Sequence, residues 1–151
     1  MTKWKTAGDS ILAAKLLARP NSQNILILGA GTVAFSLRQA YEDLFPNAHF
    51  SVWNRTLDRA EKFAANFPNT MAVNDLEEAI SAADIISAAT MSSEPFINGK
   101  WLKPGQHIDL IGAYRPDMRE ADDTTLKRST IFVDSFETTI DHIVLSIFCN
   151  W

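Results

Sequence analysis

Polar and apolar positions along this chain change their spacing several times, and each change marks an element. Residues 7–19 read as a helix that Pro20 ends, and 21–24 as a polar connector. The stretch NILILGAGTVA at 24–34 is an apolar run that breaks into Gly29, Ala30 and Gly31 and opens a helical pattern at Thr32. Val33, Leu37, Ala40, Tyr41 and Leu44 share one face of that helix until Pro46 and Asn47 stop it. A second apolar run at 49–53 leads into Leu57, Ala60, Phe63, Ala64 and Phe67 at helical spacing, ended by Pro68. Asp75 and Glu78 have the spacing of a capping box for a short helix carrying Leu76, Ala79 and Ile80. Buried strands are predicted at 84–88, 106–111 and 131–133. Strands alternating with helices at this rhythm predict an α/β fold, a Rossmann-like doubly wound parallel sheet with helices on both faces.

The break after the first strand carries the chemistry. In a dinucleotide-binding turn, Gly29 lets the chain reverse tightly, Gly31 lets backbone approach a pyrophosphate, and Ala34 allows close packing of helix on strand. The phosphates then meet the free N–H groups of Thr32 and Val33 at the helix N-terminus. The second strand ends in Asn54, Arg55 and Thr56. A NAD site places an acid about 20 residues on, to hold the adenosine ribose. Asn54 stands there instead and removes the repulsion of a 2′-phosphate, while Arg55 offers a planar fork to phosphate oxygens beside the Thr56 hydroxyl. NADP(H) is predicted over NAD(H). The alternative makes Arg55 a solvated loop arginine and Thr56 the N-cap of the next helix.

Ligands in such sheets lie beyond the carboxyl ends of the strands, which selects Ala89, Thr90, Met91 and Ser92, and Gly112, Ala113 and Tyr114. The alternative for these is ordinary loop structure. Asp122 and Asp123 read as a helix cap and dipole partner rather than a paired-carboxylate site. Asp109, inside an apolar strand, reads as a buried structural carboxylate. His49, His107 and His142 have no companion at metal spacing, so no metal is expected.

Composition narrows the partners. The chain has 151 residues, 46% hydrophobic and 21% charged, enough for one globular core. Its net charge of −4 and lack of a Lys/Arg cluster argue against nucleic acid. One cysteine, Cys149, points to a reducing compartment, and no apolar span is long enough for a bilayer. A cytoplasmic protein is expected.

Several stretches together resemble a known family: TAGDSILAAKLLARP, ILGAGTVA, VWNRTLDRAEKFA, ADIISAATMSSEPFINGKWLKPGQHIDLIGAYRPDMREADD and IFVDSF. On these the chain resembles the ornithine cyclodeaminase and mu-crystallin family over residues 4–143. The resemblance implies a dinucleotide cofactor, homodimers and a small imino or amino acid substrate. Some members convert ornithine to proline with loss of ammonia. Others reduce cyclic imines of the pyrroline-2-carboxylate and piperideine-2-carboxylate type, and crystallin members bind NADPH and thyroid hormone without need of turnover. The family's WNRT form, here Trp53 to Thr56, goes with NADPH. Where cyclodeaminases carry an aspartate this chain has Tyr114, which favours the imine-reductase branch. Where the family holds the substrate carboxylate with an arginine this chain has Lys5, which keeps the charge but lacks the fork.

The resemblance also implies chains about twice this length, typical of two domains. The preceding half of such chains supplies most of the substrate pocket, a catalytic lysine and the dimer platform. The expectation is thus a truncated product: a connecting helix at 1–23, the NAD(P)-binding domain at 24–135, and an aberrant tail at 136–151. Val144, Leu145, Ile147, Phe148 and Trp151 make that tail an aggregation liability if exposed. Catalytic residues are left unassigned, and the chain alone is expected to be weakly active or inactive.

Overall fold

A computed structural model describes residues 3–113, 115–133 and 148–150. The elements run α1 (Lys3–Leu17), β1 (Asn24–Leu28), α2 (Thr32–Leu44), β2 (His49–Trp53), α3 (Leu57–Ala64), β3 (Thr70–Val73), α4 (Leu76–Ala82), β4 (Ile85–Ala88), β5 (His107–Leu110), α5 (Asp123–Lys127), β6 (Thr130–Phe132) and β7 (Phe148–Asn150). They form one sheet in the order β3-β2-β1-β4-β5-β7-β6.

The first five strands are parallel. Ile25 of β1 faces Phe50 of β2 on one side and Ile85 of β4 on the other, and β4 pairs with β5 from Ile85↔His107 to Ala88↔Leu110. Alternation along β1 builds two cores. Ile25 and Ile27 join Ala7 and Ala14 of α1, Leu37 and Tyr41 of α2 and Phe63 of α3. Leu26 and Leu28 join Ile80 of α4, Ile97, Leu102, Ile108 and Ala121 on the opposite face. Burial on both faces explains why these strands read as continuous apolar runs. The expected doubly wound, Rossmann-like sheet is present.

Strand β6, read as buried, is exposed along its length because it forms the outer edge of the sheet, and three further features differ from the sequence expectation. Strand β3 has no apolar alternation, because it lies at the sheet edge with Met71 exposed and its other side chains half-buried. Strand β7 lies inside the stretch read as an aberrant tail and pairs antiparallel with both β5 and β6, which extends the parallel sheet by a mixed edge. Residues 134–147 and Trp151 lie outside the described residues, so the rest of the tail, His142 included, goes with them. The third difference is Arg38, absent from the predicted helix face but fully buried. Its guanidinium lies 3.7 Å from the Phe50 ring centre and donates through Nε to Thr70 Oγ1 at 2.8 Å and through Nη2 to the Pro68 carbonyl at 2.8 Å. Glu42, one turn on, supplies a carboxylate at 3.2 Å. The charge is affordable because it is paired, and it ties α2 to β2 and β3.

The connecting helix is part of this core. Arg19 pairs with Asp84 at 2.9 Å, and the other Asp84 oxygen accepts the N–H groups of Gln23 and Asn24. Near its middle, Ser10 Oγ lies 3.4 Å from Ser87 Oγ on β4 and 3.4 Å from the Tyr41 hydroxyl. Ser87 donates to Asp109 Oδ2 at 2.9 Å and Tyr41 donates to the same oxygen at 3.4 Å. Asp109 is therefore the expected buried carboxylate, and its partners come from α2 and β4.

Burial pushes Asp109 up to about 7, and the nearby charge of Glu120 adds to the shift. Burial lowers His107, two residues earlier on the strand, to about 4. The raised acid stabilises the fold at low pH, and that contribution is lost as pH rises from 3.8 through about 7. The lowered histidine acts in reverse, losing its contribution as pH falls from 6.5 through about 4. The two slopes oppose each other across the shared window. Asp109→Asn is expected to give a melting temperature that rises with pH between about 4 and 6.5 relative to His107→Gln, which should fall. Parallel slopes in thermal unfolding of the two variants would contradict this pairing.

Candidate functional site

The order of the sheet places the site. From β1 the chain moves outward through α2, β2, α3 and β3, then returns across the sheet through α4 to β4 and β5. The loops after β1 and β4 therefore part in opposite directions and leave a crevice at the carboxyl edge. Ala89 N–H bonds to the Leu28 carbonyl at 2.9 Å and Gly29 N–H to the Trp53 carbonyl at 2.8 Å, holding the strand ends level.

The two glycines of the turn have different reasons to be glycine. Gly29 has a φ of +108°, and a Cβ there would meet the Ala89 carbonyl oxygen at 2.9 Å. Gly31 has ordinary extended backbone, and a Cβ there would meet nothing within 4 Å. It occupies the N-cap of α2 without a side-chain cap, and the first turn carries no acid. The N–H groups of Thr32 and Val33 thus face an open, uncapped helix end, the arrangement that favours an anion. Ala34 is fully buried against the sheet.

At the end of β2, Asn54 donates through its side-chain amide to the Thr56 carbonyl at 3.0 Å, closing the turn that presents Arg55. Arg55 is exposed and makes no hydrogen bond or ion pair among the described residues. Thr56 stands at the N-cap of α3, yet its hydroxyl makes no cap bond. The capping role open to it from sequence is therefore unused.

Glu120 organises the other side of the crevice. The segment 118–122 runs beside 96–97, with Phe96 and Ile97 N–H groups donating to the Glu120 carbonyl at 3.0 and 2.9 Å. This turns the Glu120 side chain inward, where it is 2% exposed. Oε1 accepts the Thr90 N–H at 2.7 Å and the Thr90 hydroxyl at 2.6 Å, and Oε2 accepts the Gly112 N–H at 3.1 Å. A Cβ on Gly112 would lie 2.0 Å from the Thr90 carbonyl, so that glycine is required by the close approach of the two loops. Burial raises the Glu120 carboxyl, and the three donated bonds oppose that rise. Nothing in the linear sequence marks Glu120, because a carboxylate among Asp117, Arg119 and Asp122 reads as solvated loop. Only the pairing of distant segments buries it.

The remaining predicted residues fall around this edge. Ala89 is half-buried beside Gly29, and Met91 is exposed. Helix α1 runs against the strands, from Arg19 at the start of β4 past Ser10 at mid-strand. Lys5 lies five residues further, about 7.5 Å along the axis, toward the carboxyl edge. It is exposed and 3.9 Å from Asp9, a weak contact. Tyr114 lies outside the described residues. Asp122 is the cap of α5, accepting from Thr125 N–H at 2.8 Å and Gly99 N–H at 3.0 Å, and Asp123 pairs with Arg119. Among the described residues no three His, Cys, Asp or Glu side chains are gathered as metal ligands, and no helix is long and apolar enough to cross a membrane.

This geometry meets its relatives here. Residues 1–142 match the ornithine cyclodeaminase/mu-crystallin family. The chain belongs to that family. It is 49% identical over 148 residues to a Delta(1)-pyrroline-2-carboxylate reductase of Paracoccus denitrificans, covering 95% of this chain and 47% of the relative. It is 40% identical over 141 residues to the ketimine reductase mu-crystallin of Mus musculus, covering 93% and 45%. The Delta(1)-pyrroline-2-carboxylate reductase of Thermococcus litoralis, solved with NADH and L-proline, superimposes with a TM-score of 0.86 at 31% identity, covering 91% and 44%. The chain spans under half the length of these relatives.

The glycine pair separates fold from site. Gly29→Ala should cost on the order of 2 kcal/mol, since an L side chain is strained at that φ and meets a backbone oxygen. Gly31→Ala should cost under about 1 kcal/mol, the loss at an N-cap. Denaturant unfolding of both variants checks the ranking, and equal losses would show that Gly31 also serves the fold.

Proposed function

We propose that this chain is the NADP(H)-binding part of a cyclic imine reductase acting on pyrroline-2-carboxylate or piperideine-2-carboxylate type substrates. The observation that carries the reading is the open, uncapped start of α2 at Gly31, where a Cβ would fill empty space, facing loops that Glu120 holds in place. The site fits a dinucleotide in each of its parts. Gly31, Thr32 and Val33 would receive the pyrophosphate on free N–H groups. Asn54, Arg55 and Thr56 would hold the adenosine end, and Ala89, Thr90, Met91 and Gly112 would border the nicotinamide ribose.

A bound nicotinamide supplies a hydride to the imine carbon. The chain's contribution is to fix where that ring lies, and Lys5 at the same edge offers positive charge to the substrate carboxylate. Relatives that share this segment are named for pyrroline-2-carboxylate and ketimine reduction, which supports the substrate class over deamination. We assign cofactor binding to this chain and turnover to chains of the relatives' length. Steady reduction of pyrroline-2-carboxylate by the purified 151-residue protein would overturn that division.

The preference for the 2′-phosphate rests on Arg55, which has no competing partner among the described residues. The NADH in the Thermococcus structure makes it a point to be measured. Arg55→Ala should weaken NADPH about tenfold or more while leaving NADH within about twofold, as expected for the loss of a charge-assisted contact. Calorimetric titration of both cofactors decides it: an unchanged NADPH-to-NADH ratio removes the phosphate clamp. Gly31→Ala should weaken both cofactors together.

A further inference from the structure

We infer that Glu120 is a positioning residue that sets the hydrogen-bonding character of the nicotinamide side of the site, making it a surface of acceptors. The inference rests on the dinucleotide reading above and adds a residue and a specificity to it.

Three donors that could have faced the crevice are turned inward. Thr90 has one backbone N–H and one hydroxyl proton, and both go to Glu120 Oε1 at 2.7 and 2.6 Å. The Gly112 N–H goes to Oε2 at 3.1 Å. With its proton committed, the Thr90 hydroxyl retains only lone pairs for a ligand. Such a border suits groups that donate, namely ribose hydroxyls and the amide NH₂ of a nicotinamide carboxamide. It disfavours an acceptor such as the carboxylate of nicotinic acid. The carboxylate bonds both loops, so it sets the width between the ends of β4 and β5 as well as their polarity.

Geometry requires the charged, full-length side chain. Glutamine keeps the shape, but its NH₂ would confront either the Thr90 donors or the Gly112 N–H, so at least one link is lost. Aspartate keeps the charge but is one methylene short of spanning both loops.

The test compares each cofactor with the same molecule lacking its ring. Affinities of NADPH and 2′-phospho-ADP-ribose, and of NADH and ADP-ribose, are measured for the wild-type chain and Glu120→Gln by titration calorimetry. The wild type should bind the ring-bearing member more tightly. Glu120→Gln should cut that advantage about tenfold, the scale of a lost hydrogen bond to a charged group, and leave the ring-less ligands within about twofold. A merely structural role would weaken both members equally. Equal losses, or no loss, overturn the inference while leaving the dinucleotide site standing. Failure of the wild type to bind any of the four defeats the dinucleotide reading and this inference with it. Amide hydrogen exchange on the wild type provides a second measurement should the variant not fold. Thr90 and Gly112 should be protected as strongly as β4 and β5, and exchange at the rate of exposed loops overturns the clamp.

Discussion

Everything at the carboxyl edge depends on β1 being a central strand hydrogen-bonded on both sides. Its neighbours, β2 and β4, hold its end level with theirs, and the path of the chain diverges there because α2 carries it one way and α4 brings it back the other. No backbone donor of β1 is left over for rearrangement, so the turn at Gly29 starts from a fixed point. The positive φ of Gly29 and its approach to Ala89 follow from that fixed point rather than from any ligand. The neighbouring Gly31 is free of both demands. A position that the fold leaves small and open, beside one that the fold requires, is where a binding role is easiest to separate from a structural one.

How much of this was legible along the chain depends on what each residue answers to. The strands β1, β2, β4 and β5 and the helices between them follow from spacing, since their burial on one or both faces leaves a periodic trace in the sequence. The glycine turn is legible for the same reason, being a local change of backbone. Strand β3 left no trace because an edge strand with Met71 in solvent needs no alternation. Arg38 was missed because a charged residue is ordinarily assigned to solvent, whereas here Glu42 on its own helix and Phe50, Thr70 and the Pro68 carbonyl from beyond it enclose it. Glu120 is the same case at the site: its three donors come from loops 8 and 30 residues away. Buried charges are legible only through partners, and partners are tertiary facts.

The N-terminal helix acts as a brace. Ala7 and Ala14 sit in the same core as Ile25 and Tyr41, Arg19 is fastened to Asp84, and Ser10 reaches the middle of β4. Because α1 runs opposite to the strands, its first turns arrive at the edge where the loops meet. Lys5 therefore lies toward the carboxyl edge of the sheet through the length and direction of a helix, and its charge is carried there without any loop.

Two buried acids lie close enough for the charge of one to raise the other, and their surroundings divide their states. Glu120 receives three donated bonds, two of them from backbone N–H groups that cannot withdraw without breaking the loops. Asp109 receives one short bond from Ser87 and one long bond from Tyr41, and its Oδ1 has no partner among the described residues. The supply of donors thus favours charge on Glu120 and a proton on Asp109, and each state reinforces the other, since a charged Glu120 makes ionisation of Asp109 harder. The division is useful where it falls. The acid with fewer donors sits within the sheet, where an unpaired charge would be most costly, and the one with more sits at the strand ends, where its lone pairs draw the loop donors inward. One local arrangement accounts for a core that tolerates a carboxyl group and for an edge whose loop donors are turned inward.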